Sequence, residues 1–175
     1  MTKPPVKPPI LLKTLLDVIF WFTLIGLIIR VAFTGLYYLE FVPIDLRVNG
    51  NEITEFNTPL AIGLFLKIAI TAIFIYIIHL LRKVVRSFNK RKLFTSLQIS
   101  GLRLIGQLIL VATLGEMAVN VFLKLKFQET NRAGDEIIDS FHSLWFLLAI
   151  GLFFILLSRS FNYASRLQQE NDLTV

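Results

Sequence analysis

The sequence predicts an all-α membrane protein: a four-transmembrane-helix bundle with a short outer β-hairpin between helices 1 and 2. Three observations predict it. Apolar residues make up 55% of the 175 residues and charged residues only 17%, a balance unlike that of soluble domains. The apolar residues fall in four runs of roughly 18 to 30 residues, and about 20 helical residues cross a hydrocarbon core of about 30 Å. Between the second and third runs, residues 82–95 carry six Lys or Arg and no acid. Such loops resist translocation and stay on the cytoplasmic side. The chain therefore reads as one domain over residues 1–175, with helices near 10–39, 59–81, 97–123 and 141–158, a cytoplasmic loop at 82–96 and a cytoplasmic tail at 159–175.

Composition also excludes chemistry. The chain has no cysteine, which removes disulfides, thiol nucleophiles, thiolate metal sites and covalent haem attachment. It contains no G-x-S-x-G, no phosphate loop and no paired-histidine motif. His79 and His142, the only histidines, fall at opposite membrane faces and build no metal site alone. The expectation is a protein that is not an enzyme and holds no cofactor or metal. The net charge of +6 fits a basic inner surface facing anionic lipid; no nucleic-acid-binding module accompanies it.

In chain order, residues 1–9 form a Pro-rich cationic arm, in which proline favours extended backbone. The apolar run that follows is too long for a signal-peptide core and lacks a small-x-small cleavage site, so it reads as a retained span. Helix 1 holds Lys13, Asp17 and Arg30. Lys13 and Asp17 are four apart and share a face near the inner surface. Thr23, Arg30, Thr34 and Tyr37 fall on one stripe expected to face the bundle. In the first outer loop, residues 44–48 alternate and Asn49-Gly50 supplies a type I′ turn. That turn sets Leu46 opposite Ile53 and Arg47 opposite Glu52, with the apolar pair expected to rest on the helix ends. The hairpin reads either as a packing lid or as a sensing surface.

Helix 2 follows Pro59 and carries Lys67 about two turns in, with His79 near its inner end. Helix 3 starts with a capping box, Thr95-Ser96-Leu97-Gln98, with Phe94 and Ile99 placed as a hydrophobic staple. Inside it lie Arg103, Gln107, Glu116 and Asn120; Thr113, Glu116 and Asn120 share one face. Residues 124–140 read as a second outer loop with a turn near 131–134. Its acids match no calcium-loop spacing. Helix 4 has no charged residue over 141–158, with His142 and Trp145 suited to the outer interface. Beyond Arg159 the apolar residues Phe161, Ala164 and Leu167 recur at helical steps.

The basic loop running into Leu93-Phe94-Thr95, together with the ending Leu167-Gln168-Gln169-Glu170-Asn171-Asp172-Leu173-Thr174-Val175, resembles a bacterial family of small four-span membrane proteins, the domain-of-unknown-function family numbered twenty-nine seventy-five. The ending is similar to that family's Leu-Gln-Glu-Glu-Asn-Asp-Leu-Thr-Ile, departing at Gln169 and Val175. The loop lacks the family's Gly-Asn-Pro-Phe wording. The resemblance implies no catalytic or binding residues. Its members are often encoded beside a small helix-turn-helix regulator, which implies a membrane protein that restrains a cytoplasmic DNA-binding partner.

Three sets of candidate site residues follow. Arg30, Lys67 and Glu116 lie about 10–14 Å from the outer helix ends at 1.5 Å per residue. Charges at that depth usually pair, so Glu116 is expected to contact Arg30 or Lys67, with Thr113 and Asn120 beside it. At the inner level, Asp17 is expected to meet Arg103 or Lys13. The cytoplasmic face offers Arg82, Lys83, Arg86, Lys90, Arg91 and Lys92 to anionic lipid or a protein partner, and Leu167 and Leu173 to a protein partner. A small transporter or channel component, or a purely structural membrane protein, are the alternatives to a regulatory role. Eleven basic residues (Lys3, Lys7, Lys13, the six of the loop, Arg159 and Arg166) fall on the expected inner side, against Arg47, Lys124, Lys126 and Arg132 outside. That asymmetry predicts a bacterial cytoplasmic (inner) membrane protein with both termini in the cytoplasm.

Overall fold

The computed structural model describes residues 10–39, 46–48, 51–53, 58–87, 95–126 and 133–173; for Ile10, Tyr37, the two strands, residues 133–143 and residues 172–173 only the backbone is described. The N-terminal arm, the Asn49-Gly50 turn, Lys90, Arg91, Lys92 and Phe94, and the side chains of His142 and Leu173, lie outside the described residues.

Four long helices carry the chain: α1 (Ile10–Tyr38), α2 (Thr58–Ser87), α3 (Ser96–Lys126) and α4 (Ala133–Leu173). Each contains a stretch long and apolar enough to cross a membrane, and the chain is a multi-pass membrane protein on that basis. Between α1 and α2, β1 (Leu46–Val48) and β2 (Asn51–Ile53) pair antiparallel, with Leu46 opposite Ile53, Arg47 opposite Glu52 and Val48 opposite Asn51.

Two helices outrun their expected bounds by more than a turn, while α3 gains one residue at its start and three at its end, running into the expected outer loop. Helix α2 continues through residues 82–87, which the sequence reading assigned to the loop at 82–96. Arg and Lys are good helix formers, and Arg86 in the last turn complements the carbonyl end of the helix. Helix α4 begins at Ala133, inside the expected outer loop of 124–140, and runs 41 residues to Leu173. At 1.5 Å per residue that is about 60 Å, twice a hydrocarbon core. The start of α3 is a reciprocal capping box. Thr95 N–H donates to Gln98 Oε1 at 3.0 Å, and Gln98 N–H donates back to Thr95 Oγ1 at 3.4 Å.

The helices pack in chain order and antiparallel: α1 on α2, α2 on α3, α3 on α4. This arrangement is compatible with a four-helix membrane bundle. The tight centre belongs to α2, α3 and α4. Ile77 and Val84 of α2 and Leu102, Ile105 and Ile109 of α3 are buried together, and Ile150, Phe154 and Leu157 of α4 pack against them. Helix α1 contributes no buried residue among those described.

In lipid the tails are as apolar as leucine, so helices associate through close packing and polar contacts. The α3–α4 contact shows both. A Cβ added to Gly106 would sit 2.6 Å from the Gly151 carbonyl oxygen and 3.0 Å from the Ile155 nitrogen, so the backbones touch there because neither glycine has a side chain. Two turns further toward the basic end, the fully buried Ser158 hydroxyl donates to the Ile99 carbonyl at 2.7 Å.

Candidate functional site

The polar side chains gather in three places. The first is the end of the array where α1 begins and α2 finishes. Once α2 is helical through Ser87, Arg82 and Arg86 stand four residues apart on one face. Both reach Asp17 of α1: Arg82 Nε donates to Asp17 Oδ1 at 2.5 Å and Arg86 Nη2 to the same oxygen at 3.3 Å. Asp17 therefore pairs with α2. Arg103 and Lys13, its expected partners, make no ion pair with it among the described residues. The physical reason is packing order, since α1 lies on α2 and Arg103 belongs to the next helix along. Lys13, an exposed neighbour, competes with two guanidiniums that offer charge-assisted forks.

Phe20, one turn deeper in α1, completes this end. The Arg82 guanidinium carbon lies 4.3 Å from the Phe20 ring centroid, and the His79 ring lies 6.1 Å from Phe20. Together with Lys83 and Leu97 these residues line a groove of about 610 Å³. The sequence marked Arg82, Lys83 and Arg86 but missed Phe20; its spacing of three from Asp17 was the available signal.

The second place is the middle of the span. Lys67 is half-buried on α2, with Arg30 of α1 and Glu116 of α3 both close enough to act on it electrostatically. No ion pair closes among the three within the described residues. Arg30 instead donates through Nη1 to Thr71 Oγ1 at 3.3 Å, while the Thr71 hydroxyl donates to the Lys67 carbonyl at 2.8 Å. A hydroxyl is thus the partner of Arg30, where the expectation was the acid Glu116. Thr113 is 1% exposed and its hydroxyl has no hydrogen-bond partner among the described residues; Asn120 is half-buried one turn from Glu116. The stripe on α1 differs in detail from expectation. Thr23 and Thr34 donate to carbonyls of their own helix, at Ile19 and Arg30, as hydroxyls in apolar helices commonly do.

The third place is the flank of α3 and α4 at the basic end. Arg103 is exposed there, in a groove of about 560 Å³ with Ser100, Gln107, Asn162, Ser165 and Gln169. Leu167 lies exposed on the same extension of α4. Among the described residues, no group of three or more His, Cys, Asp or Glu is placed to hold a metal ion.

No curated protein and no solved structure matches the chain. A family model described as "Protein of unknown function (DUF2975)" matches residues 44–175. The match takes in the strands and α2 to α4 and leaves α1 outside it. It spans well over half the chain and agrees with the resemblance carried by the basic loop and the final nine residues. The chain belongs to the DUF2975 family.

Proposed function

We propose that this protein is a regulatory membrane protein that restrains a small helix-turn-helix regulator at the cytoplasmic face of a bacterial inner membrane. The observation that carries the reading is the extension of α4. Its helix runs on past the charge-free stretch to Leu173, beside a groove rich in hydrogen-bonding side chains, with Leu167 exposed. Packing within the span does not require that extension, and an amphipathic helical stem offers a surface for a partner helix. The class of partner comes from the family resemblance. Orientation follows from the excess of Lys and Arg at this end. The reading assigns no catalytic role.

Two experiments test it. A single cysteine introduced at Gly50 reacts with an impermeant thiol reagent on intact cells, and one at Asn89 does not; the reverse pattern overturns the orientation. Deleting residues 166–175 from a chain that still inserts normally releases the regulator from membranes and changes transcription of neighbouring genes. If neither changes, the transporter and purely structural readings move ahead.

A further inference from the structure

The groove at the junction of α1, α2 and α3 has an unusual balance of donors and charge. Arg82, Lys83 and Arg86 bring three cations, and Asp17 is the acid paired with the two arginines. A guanidinium carries five N–H donors and an ammonium three. Arg82 gives Nε to Asp17 and Arg86 gives one terminal nitrogen; no other hydrogen bond from these three side chains to a described residue is present. Among the described residues two positive charges remain uncompensated, and most of the donors stay open. The fork of Arg82 is nonetheless held in place, by Asp17 on one side and the Phe20 ring on the other. A prepositioned planar fork of this kind suits two oxygens of a phosphate.

Phe20, one turn deeper than Asp17, and Leu97, in the first turn of α3, give the groove an apolar margin beside the polar His79 and Ser87. A soluble phosphate has no use for that apolar margin, whereas a phospholipid presents a phosphate oxyanion and an acyl chain side by side. The charged part of the groove also sits where the apolar stretch of α2 gives way to basic residues, the depth of a headgroup. We infer that this groove is a binding site for the phosphate of an anionic phospholipid, with Arg82, Lys83 and Arg86 around the phosphate, and Phe20 and Leu97 against the first segment of the acyl chain. The site is separate from the α3–α4 surface and does not depend on the proposed regulator.

The test uses the full chain reconstituted in phosphatidylcholine bilayers. Trp21 neighbours Phe20, and the chain has two tryptophans; the Trp145→Phe background therefore leaves Trp21 as the sole reporter. A small fraction of phosphatidylglycerol with brominated acyl chains is expected to quench Trp21 several-fold more than the same fraction of brominated phosphatidylcholine. The double variant Lys83→Gln/Arg86→Gln keeps the Arg82–Asp17 pair and is expected to remove most of that several-fold preference, bringing quenching by the two lipids close to equal. Arg159→Gln/Arg166→Gln removes equal charge from the same end of α4 and keeps the preference. If the double variant does not assemble, the single Lys83→Glu change, at an exposed position, reads the same loss. Equal quenching by the two lipids overturns the inference, as does equal loss in the α2 and α4 variants, which would mean diffuse attraction. Abolition of the preference by millimolar inorganic phosphate identifies a soluble anion as the ligand and also overturns it.

Discussion

Replacing Gly106 with alanine tests whether the α3–α4 crossing holds the molecule together. The added Cβ would lie 2.6 Å from the Gly151 carbonyl oxygen, 2.7 Å from Ile155 Cγ1 and 3.0 Å from the Ile155 nitrogen. Two of those three atoms are backbone and have no rotamer into which to retreat, so the helices must separate. Overpacking of this kind costs about 1–3 kcal/mol. Alanine returns about 1 kcal/mol in helix propensity, which leaves a net loss of about 0–2 kcal/mol against the native chain and about 1–3 kcal/mol against a glycine-to-alanine change that meets no clash. Gly26→Ala is the matched control, because a Cβ there meets nothing within 4 Å; it keeps the propensity gain and suffers no clash. Gly151→Ala falls between them, its closest contacts being 3.1 Å. The assay is reversible unfolding of the purified full chain in mixed micelles by titration with sodium dodecyl sulfate, followed by helix content. Gly106→Ala as stable as Gly26→Ala would refute the close crossing.

Two further outcomes follow from the same contacts. Ser158→Ala removes the hydroxyl that donates to Ile99 and is expected to cost about 0.6 kcal/mol in the same titration, the usual worth of a hydrogen bond between membrane helices; a change beyond about 2 kcal/mol would mean that Ser158 does more than bridge α3 and α4. Asp17→Asn leaves Arg82 and Arg86 repelling each other and is expected to loosen α1 from α2. Spin labels on cysteines introduced at the exposed positions Ile28 and Tyr76 then give a broadened distance distribution, and a native-width distribution removes Asp17 from the docking of α1.

How far the sequence was legible depended on the range of the interaction. The capping box at Thr95 and Gln98 is written within four residues, and both of its hydrogen bonds form. The start of α4 was also local, yet Asn131 to Gly134 read as a turn. The opposing signal was Asp135 and Glu136, acids suited to the first turn of a helix. The partners of Asp17 were missed for a different reason. Arg82 and Arg86 were given to a loop, and only a helix continuing to Ser87 sets them on one face toward α1. Gly106 and Gly151 are visible in the sequence as glycines, but their role exists only in the pairing of α3 with α4, which no single-chain periodicity encodes.

Helix α1 is attached by another logic than the rest. It lies outside the family match and buries no described side chain, so packing alone specifies its place weakly. Two polar ties do so instead: Asp17 to Arg82 and Arg86 near one end, and Arg30 to Thr71 further along. Asp17 and Arg30 are thirteen residues apart, about 20 Å along the helix axis. One tie would fix a point of contact and leave α1 free to swing about it. Two ties at that separation fix both register and tilt against α2. In lipid each is favoured because the alternative is a charge facing hydrocarbon. The charges on α1 that looked from the sequence like parts of an interior ion cluster therefore act, in the first instance, as the means by which an otherwise lipid-exposed helix finds its place.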